Sequence, residues 1–161
     1  MNTTSKIALV TGATRGIGLH TVRQLAEAGV HTLLAGRTRA KAVEAALQLQ
    51  GEGLPVEATE LDVTDSPSIA AAAQEVEKRH GRLDILVNNA GIVVDEFGKK
   101  VSEQTLDAWR TTFETNLFGV IAVTQAFLPL LHRSPSGRIV NVSSILGSIT
   151  LHNDPSSPSY E

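Results

Sequence analysis

Short apolar runs rich in β-branched residues alternate along this chain with stretches whose apolar positions recur every three or four residues. The runs "KIALV" at 6–10, "HTLLAG" at 31–36, "PVEATELDV" at 55–63, "LDILVNN" at 83–89 and "GRIVNVSS" at 137–144 predict five strands. Pro55 suits the start of a strand, where a missing N–H costs no ladder bond. Between the strands, residues 16–28 predict a helix with Val22, Leu25 and Ala26 facing inward, stopped by Gly29. Residues 39–50 predict a second, with Ala40, Val43 and Leu47 on one face and Gly51 at the end. Ser66 reads as the cap of a third, with Pro67 at its first position and Ile69, Ala73 and Val76 as its apolar stripe. A long helix follows over about 103–132, carried by Leu106, Trp109, Phe113, Leu117, Val120, Thr124 and Phe127.

Strands that are apolar throughout are buried on both faces, which means a parallel sheet with helices on either side. Right-handed crossovers then make a doubly wound α/β sheet the simplest architecture. One domain is expected over residues 1–147, with 148–161 a polar loop after Gly147.

Composition narrows the function. The 161 residues are 42% apolar, enough for a folded core. A net charge of −3 without a basic run argues against a nucleic-acid partner. The chain has no cysteine, so thiolate and disulfide chemistry are excluded. "MNTTSKIALVTG" is too short an apolar run, too soon broken by glycine, for a signal peptide or membrane span, so a cytoplasmic protein is expected. The histidines, at 20, 31, 80, 132 and 152, lack metal-ligand spacing and read as solvated surface groups. Trp109, Phe113 and Phe127 read as core or subunit interface.

The first strand runs directly into "TGATRGIG" at 11–18 and then into the first helix. Gly12, Gly16 and Gly18 at that junction allow a tight turn and a close backbone approach to a pyrophosphate, which the helix N-terminus would attract. The spacing is G-x-x-x-G-x-G. Together with "LVNNAG" at 86–91, "NLFG" at 116–119 and "IVNVSS" at 139–144, it makes the chain resemble the short-chain dehydrogenase/reductase family, most of all its carbonyl-reductase-like, NADPH-using branch. The resemblance runs in register from about residue 5 to 147 and implies a Rossmann-type sheet of strand order 3-2-1-4-5. It implies hydride transfer between a nicotinamide cofactor and a small carbonyl or alcohol. An epimerase or dehydratase of the extended branch would carry TGxxGxxG, which is absent. A nucleotide-binding sensor or scaffold without turnover is the alternative.

Carried onto this sequence, the family pattern places Gly12, Thr14, Arg15, Gly16, Ile17, Gly18, Asp62, Val63, Asn89, Ala90 and Gly91 around the cofactor. Asp62 and Val63 would meet the adenine ring, and Asn89, Ala90 and Gly91 the ribose. Family members that use NAD usually carry an acid at the end of strand two. Here that position is Gly36, followed by Arg37. Two guanidiniums, Arg15 and Arg37, with no acid suit the planar charge of a 2′-phosphate, so NADPH is expected over NADH.

For catalysis the resemblance implies Ser144 as the hydroxyl that holds the carbonyl oxygen, and strand alternation would face Ser143 away. It implies Asn116 as the residue that bends the long helix and holds a water of the proton relay. The family's acid is the tyrosine of a Tyr-x-x-x-Lys motif. Tyr160 lacks a lysine four positions later and lies in "PSSPSYE" rather than in a periodic helix. The expectation is a chain that stops before the active-site helix, inactive alone, with an open edge at strand five and weakened or altered dimerisation, and a homo-oligomer in a longer form.

Overall fold

Strand alternation sorts the sheet's side chains onto two faces, and each face buries a different pair of helices. The structure is a computed structural model and describes residues 5–94 and 99–157. Five strands, β1 (Ile7–Val10), β2 (His31–Gly36), β3 (Val56–Glu60), β4 (Ile85–Asn88) and β5 (Arg138–Asn141), pair in parallel in the order β3-β2-β1-β4-β5. On one face Val10, Leu34, Val56 and Val87 pack under α1 (Gly16–Glu27) and α2 (Arg39–Gly51), through Val22, Ala26, Ala42 and Leu49. On the other, Leu9, Leu33 and Leu86 pack under α3 (Ser66–His80) and a long helix, through Ile69, Val76, Val123 and Phe127. This is the doubly wound sheet and strand order expected from the sequence.

The strands are shorter than their apolar runs. β3 ends at Glu60, β4 at Asn88 and β5 at Asn141, so Asp62, Asn89 and Ser144 all lie in loops just past the sheet. Strand propensity continues through "LDV" and "VSS", but the pairing partners end, and a strand without a partner gains no ladder hydrogen bonds. Ser143 and Ser144 are consequently outside any strand, and their directions do not follow from strand alternation.

The inner face of α2 differs from expectation. Ala42, Ala45, Ala46 and Leu49 are buried, whereas Leu47 is 60% exposed. Alanine lets this helix lie close on β2 and β3, and close approach outweighs the larger side chain. The cap of α3 is Asp65, which accepts a hydrogen bond from the Ser68 N–H at 3.1 Å, and Ser66 and Pro67 form the first turn. A carboxylate there also meets the positive end of the helix dipole, which serine cannot match. The polar loop after Gly147 is not featureless. Ser148 caps one helical turn, Ile149–His152, and Asp154 Oδ1 accepts hydrogen bonds from Ser156 N–H and Oγ–H. Tyr160 lies outside the described residues.

The long helix begins at Leu106, capped by Thr105, and runs to His132. It is α4 (Leu106–Phe113), a π-helical segment (Glu114–Phe118) and α5 (Gly119–His132). By length and composition alone these 27 residues could cross a membrane. Here α5 is a core helix, with Phe127 and Val123 fully buried. Trp109 and Phe113 remain exposed, their rings 6.1 Å apart. His31 and His80 are half-buried rather than solvated, whereas His20 and His132 are exposed as expected.

Asp84 was hidden within an apolar strand pattern, yet it is 2% exposed. It accepts hydrogen bonds from Ile7 N–H at 2.8 Å, Arg82 Nε at 3.2 Å and Ser134 Oγ. Burial opposes its ionisation, but these donors outweigh burial and hold its carboxyl below the usual aspartate range. A carboxyl depressed in the folded state stabilises fully above its unfolded pKa and loses that contribution as pH falls through the folded value. Asp84→Ala is expected to cost about 3 kcal/mol at neutral pH, because it strands Ile7 N–H and Arg82 at once. Denaturant unfolding measures this, and the gap between variant and native chain should shrink as the pH is lowered.

Candidate nucleotide-binding site

The chain turns back on itself between β1 and β4, which are neighbours in the sheet but far apart in sequence. Ligands of open α/β sheets bind at such a point, beyond the carboxyl ends of the strands. A cleft of about 690 Å³ lies there, and every cofactor-binding position named from the sequence lines it. The glycine loop gives Gly12, Thr14, Arg15, Gly16, Ile17 and Gly18; the β2 end gives Arg37; the turn after β3 gives Asp62 and Val63; the β4 end gives Asn89, Ala90 and Gly91.

The loop's shape explains its composition. Gly12 and Gly16 have φ of +62° and +57°, a left-handed backbone that residues with a Cβ rarely adopt. A Cβ on Gly12 would sit 2.7 Å from Ala90 Cα, and one on Gly18 would strike Asn89 Nδ2 and lie 2.8 Å from Gly12 O. The space a side chain would fill is thus taken by the strand-four loop. Arg15 precedes α1 in extended conformation and makes no side-chain cap, and the first turn of α1 carries no acid. The amides at that helix end therefore face the cleft without a side-chain acceptor, which suits an anion.

Thr11 and Asn89 lock the two loops together. Thr11 Oγ1 accepts from Asn89 N–H and Ala90 N–H, both at 3.0 Å. Asn89 Nδ2 donates to Thr11 O at 2.9 Å and Gly12 O at 3.2 Å. Asn89 is therefore structural whatever else it touches. Its neighbour Asn88 is a buried strut, donating to Thr124 Oγ1 at 3.1 Å and Asn141 Oδ1 at 2.8 Å, which joins β4 to α5 and β5. Asp62 combines two roles. It lines the cleft, and its Oδ1 accepts from Thr64 N–H at 2.9 Å and Thr64 Oγ–H at 2.8 Å, closing a turn.

Asn116 sits at the middle of the π-helical segment. Its Oδ1 accepts from Ile92 N–H at 2.9 Å and its Nδ2 donates to Ile92 O at 2.8 Å. This two-way clasp holds the loop after β4 to the helix at the point where helical winding loosens, a position where π-bulges are frequently found at functional sites. Asn116 does not itself line the cleft; Ser144, exposed in the loop after β5, does not either. The structure thus gathers the cofactor-binding candidates and leaves these two outside the cleft's lining.

Some lining residues were not foreseen. Arg110, Thr111, Glu114 and Thr115 form a wall from the long helix. Arg110 and Glu114 share a face by their spacing of four, a pattern present in the sequence but indistinguishable there from ordinary surface charge. Lys41 adjoins Arg15 and Arg37 in a second, contiguous hollow beside Thr38 and Asp62. Among the described residues no carboxylate pairs with Arg15, Arg37 or Lys41.

Comparison with known proteins agrees with this geometry. Residues 6–156 match the short chain dehydrogenase family. The chain belongs to that family. It is 42% identical to a short-chain dehydrogenase/reductase of Aspergillus fumigatus, over 92% of this chain and 58% of the relative. It superposes with a TM-score of 0.81 on a gluconate 5-dehydrogenase from Burkholderia cenocepacia in complex with NADP and tartrate, at 36% identity, covering 88% of this chain and 54% of that one. An actinorhodin polyketide ketoreductase with NADPH gives a TM-score of 0.79 at 35% identity, covering 87% and 53%. The chain therefore spans little more than half the length of these family members.

Proposed function

We propose that this chain is the cofactor-binding part of an NADPH-dependent oxidoreductase of the carbonyl-reductase-like kind, interconverting a small carbonyl compound and an alcohol. The observation that carries the reading is the cationic corner at the end of β2. Arg15, Arg37 and Lys41 line one hollow where Gly36 stands in place of an acid, and although Glu44 and Asp62 line it too, neither is ion-paired with the three cations among the described residues. A dianionic 2′-phosphate would supply what they lack, and a 2′-hydroxyl would not. The glycine cradle and the uncapped α1 N-terminus fit the pyrophosphate of the same molecule. The NADP and NADPH named with two structural neighbours support the choice.

When bound, NADPH supplies the hydride. The chain's own residues bind the cofactor and hold the carbonyl oxygen. The amides of the glycine loop fix the cofactor's phosphates, and Asn89, Ala90 and Gly91 border its path across the sheet. Ser144 donates a hydrogen bond to the carbonyl oxygen, so that negative charge growing there is stabilised. Asn116 keeps the 90–92 loop in place through Ile92. The alkoxide's proton comes, in this reading, from a tyrosine of a Tyr-x-x-x-Lys motif. The test is NADPH-dependent reduction of a ketone panel by a form of the protein that carries that motif. Ser144→Ala in that form is expected to lower kcat by about 10²–10³-fold, as loss of one oxyanion donor does elsewhere, with NADPH affinity unchanged. Unaltered turnover in Ser144→Ala would remove this serine from the mechanism.

A further inference from the structure

The opposite end of the sheet holds a second convergence of functional groups. His31 opens β2 and Glu57 lies one residue inside β3. Alternation puts His31 on the same face as Leu33, and the strand register pairs Leu33 with Glu57. Both side chains therefore lie on the face that α3 covers. His80 is the last residue of α3, just before Gly81 turns the chain at φ +72°. Three elements distant in sequence thus bring two imidazoles and one carboxylate together.

His31 Nε2 lies 2.8 Å from Glu57 Oε1, and His80 Nε2 lies 3.7 Å from Glu57 Oε2. One nitrogen or oxygen from each residue falls within 4.8 Å of the other two. Hydrogen bonding does not account for the arrangement. His31 Nε2, His80 Nε2 and Glu57 Oε2 are all shielded from water and none has an aligned hydrogen-bond partner. Buried polar atoms are normally satisfied; Glu57 Oε2 has the Arg79 guanidinium beside it, but the two imidazole nitrogens that meet the carboxylate call for a shared partner. The imidazole rings stand 5.2 Å apart and tilted by 46°, so they are not stacked on each other.

We propose that His31 Nε2, His80 Nε2 and one oxygen of Glu57 form a binding site for a divalent transition metal of zinc-like preference. Two histidines and a carboxylate are an established zinc donor set, with a fourth position for water. Ligand bonds of about 2.0–2.1 Å in tetrahedral geometry place donor atoms about 3.3 Å apart; each imidazole nitrogen already lies within a few tenths of an ångström of that from one oxygen of Glu57, at 2.8 Å from Oε1 and 3.7 Å from Oε2. Among the described residues, Arg79 is the opposing group in contact. Its guanidinium lies 2.5 Å from Glu57 Oε2. It also reaches Glu75 at 3.2 Å and is 44% exposed, so it can transfer to Glu75 when a cation takes its place. The site lies at the amino ends of the strands, away from the nucleotide cleft at their carboxyl ends. Its role is to clip β2, β3 and α3 together, independent of hydride transfer and of the cofactor reading above.

The test is titration of the full 161-residue chain with Zn²⁺ after treatment with a chelator, followed by calorimetry, with Co²⁺ as an optical probe. One equivalent should bind, and the Co²⁺ form should show the intense visible bands of a tetrahedral site. His80→Gln and Glu57→Gln should each weaken binding by more than the roughly 10–100-fold that losing an outer-shell partner costs. Arg79→Ala should tighten it, and His132→Gln, at an exposed histidine, should leave it unchanged. Absence of Zn²⁺ binding to the native chain, octahedral Co²⁺ spectra, affinity unaltered in both ligand variants, or weakening in Arg79→Ala would each overturn the proposal.

Discussion

Replacing Arg15 and Arg37 together by alanine is expected to weaken NADPH binding by about 10²–10⁴-fold while leaving NADH affinity within about threefold. Each charge-assisted hydrogen bond to a phosphate is worth about 1.5–3 kcal/mol, and about 1.4 kcal/mol is a factor of ten. Both guanidiniums are solvent-exposed, so screening favours the lower end of that range. Lys41 remains in the double variant and retains part of the attraction. The contrast between the two cofactors is what makes the result specific. A 2′-phosphate contact is lost only for NADPH. An equal loss for both would mean that the arginines touch the shared pyrophosphate, and the cofactor assignment would fail. Raising the salt concentration should erode the NADPH preference of the native chain in the same sense.

Phe127→Ala is expected to lower the unfolding free energy by about 3–5 kcal/mol. Phe127 is fully buried, and it packs with Leu9, Leu86 and Val123 between α5 and the sheet. A domain of this size is stabilised by about 5–15 kcal/mol in all, so this one truncation removes a large share. The effect reaches the site because α5 continues directly from the π-helical segment that carries Asn116. Gly119, at the start of α5, lies against Val63, and a Cβ there would be 2.9 Å from Val63 O. Urea unfolding measures the loss. A change below about 1 kcal/mol would show that the helix does not bury this residue on the sheet.

The parts of the molecule that were legible in the sequence are those fixed by local pattern. Gly12, Gly16 and Gly18 sit at a strand-to-helix junction because the turn demands positive φ or bare backbone, and that demand is local. The doubly wound architecture followed from continuous apolar runs and crossover handedness, whereas the order of the strands came from the family resemblance. What escaped reading depends on partners far along the chain. Leu47 appeared to face inward by its periodicity, yet Ala42 and Ala46 let α2 lie closer to the sheet, a choice made by β2 and β3. Asp84 lay unremarked within an apolar strand run. Its donors come from Ile7 and Ser134, remote positions that no window of sequence contains. The same holds for His31, Glu57 and His80, whose separation in sequence hides their convergence. Lys41 was invisible as a site residue because one lysine on a helix is usually solvated surface.

The cofactor-binding claim is tested most directly by titrating the native 161-residue chain with NADPH and NADH side by side in calorimetry. The account predicts that NADPH binds more tightly by about a hundredfold, the worth of two partly screened charge-assisted contacts to the 2′-phosphate. Equal affinities, or tighter binding of NADH, would contradict it.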